Sequence, residues 1–184
     1  VEIYENKNNK IDNDHYWGFW QTSDMKEASK VSEKKWYGWK IINYDKENYF
    51  YSDNHPYCAL TRKNWITYCK KLIKKSDVRI IHKKIIQKDN NLFLGDNKLN
   101  GNFIFDSRQP NLNKNILLQH FYGTVIECKE EVFDKKIAIL MDFRCNQSKG
   151  IHFIYLLPFS KRKALVESTL FSKKIEKEDF YFSE

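Results

Sequence analysis

Ala164-Leu165-Val166-Glu167-Ser168-Thr169-Leu170-Phe171 is the stretch on which the reading of this chain turns. Apolar and polar residues alternate along it only in part, as they do in a strand whose sheet is covered on both faces. One acid, Glu167, sits in the middle of it. Leu118 to Glu127, Ile137 to Phe143 and His152 to Leu157 have the same strand composition and are separated by turn-prone segments. From Leu117 onward the pattern predicts strand throughout, in a sheet of antiparallel type.

The first part reads differently. Val1 to Glu5 predicts a short strand ending in an acid, and Asn6 to Asn13 a polar loop. An aromatic group follows, Asp14-His15-Tyr16-Trp17-Gly18-Phe19-Trp20. Met25 to Lys35 is polar and fits a short helix or a loop. Trp36 to Tyr51 has strand composition and is ended by Pro56. Arg62 to Lys75 predicts a helix, because Trp65, Ile66, Cys69, Leu72 and Ile73 recur at the spacing of one buried face. Asp77 to Ile86, Leu92 to Leu94 and Phe103 to Phe105 predict strands, with turns at Asn90-Asn91 and Gly95-Asp96-Asn97. The chain is therefore mixed α/β, an α+β arrangement in two structural halves.

Composition narrows the function classes. The 184 residues amount to one ordinary domain or a slice of something larger. Thirteen Phe, eleven Tyr and five Trp exclude an intrinsically disordered chain. No apolar run approaches the roughly 18 residues of a membrane-spanning helix, and no signal-peptide pattern is visible at Val1. The net charge of +8 comes from 27 Lys and only 5 Arg. Nucleic-acid readers lean on Arg for bidentate contacts, so the charge reads as solvated surface and no nucleic-acid partner is expected. A weak attraction to an anionic membrane stays open. Cys58, Cys69, Cys128 and Cys145 show no C-x2-C spacing and the five histidines no ligand spacing, so no metal site and a reduced, cytoplasmic compartment are expected.

Glu5 ends the opening strand. In dinucleotide-binding folds an acid at that place hydrogen-bonds the adenosine ribose, about 20 residues after a glycine-rich loop. The six glycines here are dispersed and form no G-x-G-x-x-G. Taken alone, Glu5 reads as a surface acid.

Three stretches taken together resemble the bacterial lycopene cyclase family of flavoproteins. They are Phe103-Ile104-Phe105-Asp106-Ser107-Arg108; Gln119 to Glu127 with Val132-Phe133-Asp134 and Leu140-Met141-Asp142-Phe143-Arg144; and His152 to Ser160 with Ala164 to Thr169. Trp17-Gly18-Phe19-Trp20 matches upstream. The resemblance covers nearly the whole chain, most densely from 103 to 172.

That resemblance implies an incomplete Rossmann-type FAD-binding domain over 1–108 and an incomplete β-rich, largely antiparallel substrate domain over 109–184, with 36–60 open to assignment to either. It implies a chain that is an internal fragment, with the glycine loop ahead of Val1 and a further flavin segment beyond Glu184. The implied activity is a non-redox, FAD-dependent cyclisation of the ends of lycopene to β-rings. FAD would be in its reduced form with NAD(P)H as reductant. Glu5, Arg62 and Asp106 would bind the cofactor, and Trp17 and Trp20 would line the flavin or polyene pocket, although aromatic clusters more often serve as plain core. Peripheral membrane contact is implied by the apolar substrate.

Such a reaction needs a carboxylic acid kept neutral by an apolar site. It needs electron-rich surfaces to hold a carbocation, and it needs water kept away from that cation. Glu167 matches the family's acid/base position and is flanked by apolar residues; without the resemblance it reads as an exposed strand-edge Glu. Ser168 stands where many members carry a second acid. Asp142 is the second candidate acid, with a salt bridge to Arg144 or a backbone turn as the alternative. A related FAD monooxygenase or prenyl reductase, or a basic RNA- or membrane-binding module, are the competing readings.

Overall fold

The computed structural model describes residues 1–6, 15–89, 91–108 and 116–183. Asp14, most of the expected loop 6–13, Asn90 and the expected domain boundary just after Arg108 fall outside them. In chain order the elements are β1 (Glu2–Tyr4), β2 (Tyr16–Trp20), α1 (Lys26–Lys30), β3 (Lys34–Trp36), β4 (Gly38–Ile42), β5 (Glu47–Tyr51) and β6 (Tyr57–Thr61). Then come α2 (Arg62–Ile73), β7 (Arg79–Ile81), β8 (Ile86–Lys88), β9 (Asn91–Leu94) and β10 (Asn97–Lys98). The chain continues with β11 (Leu118–Glu127), β12 (Ile137–Asp142), β13 (Ile151–Pro158), β14 (Lys163–Ser172) and α3 (Glu178–Phe182).

Contacts divide the chain into two units, one from Val1–Tyr16 and Thr61–Asn111, the other from Trp17–Leu60 and Leu112–Glu184. In the first, β1 pairs parallel with β7, Ile3 facing Ile80. Helix α2 leads into β7. Thr61 caps it, its Oγ1 accepting the Asn64 N–H at 3.2 Å, worth about 1 kcal/mol. The expected apolar stripe is only half-covered: no residue of α2 is fully buried and Leu72 is 49% exposed. A separate antiparallel sheet runs β8-β9-β10. Its β9–β10 turn places Gly95 at φ +63°, where a side chain would be strained. Phe103 to Phe105, expected as a strand, is irregular, with Phe103 86% and Phe105 94% exposed. Three apolar residues in a row supply strand composition, but no described strand pairs with them.

The second unit is built on a six-stranded sheet, β11-β14-β13-β12-β4-β5. Only β12 and β4 pair parallel. Residues 38–51 thus share a sheet with residues 118–172. β14 is buried on both faces, Leu165 and Thr169 on one and Ala164, Ser168 and Leu170 on the other. A second sheet, β2-β6-β3, covers the first of these faces. Trp36 of β3 anchors it: the ring is fully buried and its indole N–H donates to the Pro158 carbonyl at 3.2 Å. Leu60 and Leu157 are also fully buried, each worth about 1.5–3 kcal/mol of transfer free energy. Helix α3 lies over the opposite face. His120 joins Tyr181 there, and buried His152 stacks on Phe180 with ring centroids 5.3 Å apart.

Candidate active site

The ladder register assembles the site. On β14, Glu167 faces Tyr155 of β13 on one side and Gly123 of β11 on the other. Residues directly opposite in an antiparallel ladder project to the same face, and here it is the face under β2-β6-β3. Tyr57 of β6 reaches down to it: the Tyr155 hydroxyl donates to the Tyr57 hydroxyl, and the rings meet edge to face at 6.2 Å. Trp20 of β2 packs edge-on against Tyr57 at 5.0 Å and against Trp39 of β4 at 4.5 Å. Trp39 stacks on Phe50 of β5 at 6.2 Å. Gly18 allows this closeness, because a Cβ there would collide with the Tyr57 and Tyr155 hydroxyls.

Burial pushes the Glu167 carboxyl above the ordinary glutamate range, opposed in part by the Thr169 hydroxyl, which donates to Oε1 at 2.9 Å. Burial also raises the Tyr57 and Tyr155 phenols, and the nearby Glu167 adds to both shifts. The result is one carboxyl biased toward its neutral form beside aromatic rings that stay uncharged. An arrangement of this kind can give up a proton and hold a cation against π faces.

Asp142 lies elsewhere. It pairs with Ile42 and Ile154, on the other face of the sheet from Trp39 and Tyr155. Arg144 grips it at both oxygens, Nε to Oδ1 at 2.9 Å and Nη2 to Oδ2 at 2.7 Å. Those bonds hold its carboxyl below the ordinary aspartate range. The structure therefore does not bring Glu167 and Asp142 together. Ser168 also points away from Glu167, its hydroxyl 2.8 Å from Nε2 of buried His152. Trp20 belongs to the aromatic group, whereas Trp17, one position out of phase on β2, projects to the opposite side of that strand.

The three residues expected at the cofactor lie in the first unit. Glu5 follows β1, its N–H donating to the Ile81 carbonyl at 3.0 Å and its carboxylate 3.8 Å from Nδ1 of His82. Arg62 opens α2. Asp106 is held by Arg108 at both oxygens, at 2.9 and 2.7 Å, and its carboxyl is lowered to about 2. Asp106 borders a cleft of about 410 Å³ lined also by Gln87, Lys98 and Asn100. Among the described residues no group of His, Cys, Asp and Glu could hold a metal ion, and no helix is long and apolar enough to cross a membrane.

Sequence reasoning missed Tyr57, Tyr155, Trp39, Gly18 and Gly123. The two glycines inside strands were the available signal, since a mid-strand glycine marks close approach. The Tyr57–Tyr155 contact joins residues far apart in sequence and left no local trace.

Solved structures share this fold. A flavin-dependent halogenase from Xanthomonas campestris superposes with a TM-score of 0.63 at 7% identity, covering 100% of this chain and 52% of that one. A mutant 2-methyl-3-hydroxypyridine-5-carboxylic acid oxygenase gives 0.59 at 11%, covering 95% and 53%. A geranylgeranyl bacteriochlorophyll reductase-like protein from Thermoplasma acidophilum gives 0.55 at 10%, covering 97% and 51%. The chain spans about half the length of these structures. No curated protein matches the sequence. A family model described as lycopene cyclase protein matches residues 3–179, a span that takes in Glu167, Tyr155, Tyr57 and the strands that carry them. The chain belongs to the lycopene cyclase family.

Proposed function

We propose that this chain carries the acid/base centre of a flavin-dependent lycopene β-cyclase, an isomerase of carotenoid biosynthesis. The observation that carries the proposal is Glu167: a carboxyl raised by burial, facing Tyr155, with Tyr57 close by and Trp20 packed on Tyr57. Glu167 protonates the terminal double bond of a lycopene ψ-end. The carbocation closes on a neighbouring alkene while the aromatic faces hold its charge. The carboxylate of Glu167 then takes a proton from the ring, which restores the acid and leaves no net oxidation. Trp36, Leu60 and Leu157, fully buried between the two sheets, would help keep out water, which would otherwise add to the cation. Asp142, ion-paired and anionic, gives up no proton in this scheme.

The first unit would then be part of a Rossmann-type FAD domain and the second the substrate domain. The donor set fits the cofactor: Glu5 offers acceptors for ribose hydroxyls at the end of a parallel strand, and Arg62 offers a cation for phosphate at a helix start. Asp106, anionic at the cleft edge, would accept from the cofactor's polar groups. Reduced FAD, when bound, supplies an electron-rich surface that favours positive charge nearby, with NAD(P)H as its reductant. The proposal also puts the enzyme at the cytoplasmic surface of a membrane, where the polyene dissolves; the exposed Phe103, Ile104 and Phe105 are suited to such contact.

Expression of the full-length gene in lycopene-accumulating cells tests the reading. β-Rings should form without stoichiometric consumption of reduced nicotinamide. One nicotinamide oxidised per product would instead favour a monooxygenase or reductase, the chemistry named for two of the similar structures.

A further inference from the structure

Gly123 sits in the middle of the ten-residue strand β11. Its backbone is not in the left-handed region, so its conformation does not require glycine. A glycine in a strand interior gives up roughly 0.5–1 kcal/mol relative to alanine. The reason for it lies across the ladder. A Cβ on Gly123 would stand 3.3 Å from Oε2 of Glu167 and 3.5 Å from its Cβ and Cγ. Oε1 is occupied by the Thr169 hydroxyl. Oε2 is the oxygen that faces the gap left by the missing methyl group.

The rim of that gap is apolar. Phe121 and Val125 flank Gly123 two residues away on the same face, and they are 45% and 40% exposed. Among the described strands β11 lies at the edge of its sheet, so the gap opens along that border. A half-buried carboxyl is thus reached through a notch one methyl group deep with hydrocarbon on both sides.

We propose that Gly123 is a specificity-determining residue: its missing side chain admits an apolar chain end to Oε2 of Glu167, and the notch rim limits how bulky that end can be. The identity of the chain end as a polyene rests on the function proposed above; the access route does not. The gem-dimethyl end of a trisubstituted alkene fits beside a hydrogen atom at position 123 but not beside a branched side chain.

Dicyclohexylcarbodiimide, an apolar reagent for protonated carboxyls, tests the route without flavin or lycopene. The carboxylic proton passes to a carbodiimide nitrogen and the carboxylate oxygen adds to the central carbon. The adduct rearranges to an N-acylurea, so the residue gains the mass of the whole reagent. Mass spectrometry of the labelled protein should find the adduct on Glu167 at pH 7, and Glu167→Gln should abolish it. Gly123→Val should slow labelling at least about tenfold, and Phe121→Ala, which widens the rim and keeps the glycine, should speed it. A folded Gly123→Val labelled at the native rate, a Phe121→Ala labelled no faster than native, or a native protein unlabelled at both pH 7 and pH 5 would overturn the route. Labelling at pH 5 but not pH 7, still sensitive to position 123, would leave the route standing and refute the neutral acid.

Discussion

Glu167 on β14 and Asp142 on β12 are carboxyl groups of one sheet, two strands apart, and the protein shifts their proton equilibria in opposite directions. The face that carries Glu167 is roofed by a second sheet and lined with Tyr57, Tyr155, Trp20 and Trp39, so the charged form loses its water. The face that carries Asp142 supplies Arg144 in bidentate contact, with Lys40 and Glu47 paired close by at 2.7 Å, so the charged form gains a partner. Placement relative to the sheet, and not the type of residue, decides in which direction each carboxyl is shifted. A one-residue shift of β14 would carry Glu167 to the other face of the sheet, and the bulge in β12 between Ile139 and Asp142 is where that strand sets its phase.

The sharpest way to break this contrast is to remove each acid in turn. Glu167→Gln should lower cyclisation by about 10²- to 10⁴-fold, the usual weight of general acid–base catalysis, while Asp142→Asn should leave most of it; product analysis by chromatography in lycopene-accumulating cells reads both. Equal losses would erase the distinction between the faces.

The roof over Glu167 comes next in size. Gly18→Ala pushes a methyl group into the Tyr57 and Tyr155 hydroxyls and should destabilise the protein by about 1–3 kcal/mol, measured by denaturant unfolding. Trp20→Leu should cost cyclisation up to about thirtyfold if the ring holds cationic charge, a cation–π contribution of up to about 2 kcal/mol.

The smallest effects are in the pH dependence of stability, and they have opposite signs. The native pKa of Glu167 is raised, so between its unfolded value and that raised value the native state binds more protons and stability falls as pH rises. Glu167→Gln should abolish that fall. The native pKa of Asp142 is lowered, so its contribution is present above the unfolded value and lost as pH falls through the native one. Asp142→Asn should therefore be less stable at neutral pH, by about 1 kcal/mol or less, and equal to the parent in acid. Thermal melts across pH 3 to 8 on the order of a few degrees' resolution would show it.

Much of the second unit was legible beforehand. The strands 118–127 and 164–171 agree closely with β11 and β14 because ten-residue runs of strand composition leave little choice. The double burial of β14 was written in its incomplete alternation. Glu167 could be singled out as an acid in an apolar setting, and burial is what raises it, but the side chains that cover it could not be read, because Tyr57 comes from a strand about a hundred residues away. The first unit was less legible. The helix was readable from its period, as Arg62 to Lys75 against the observed Arg62–Ile73, yet its apolar stripe is half-covered, and Phe103 to Phe105 has strand composition without a partner among the described strands. Periodicity reports which side of an element wants cover; it does not report what covers it.

Infrared difference spectroscopy with ¹³C-labelled glutamate bears most directly on the central claim. A protonated-carboxyl band absent from Glu167→Gln should persist above about 4.3, the pKa of glutamate in a model peptide. A Glu167 band already lost at that pH would contradict the account.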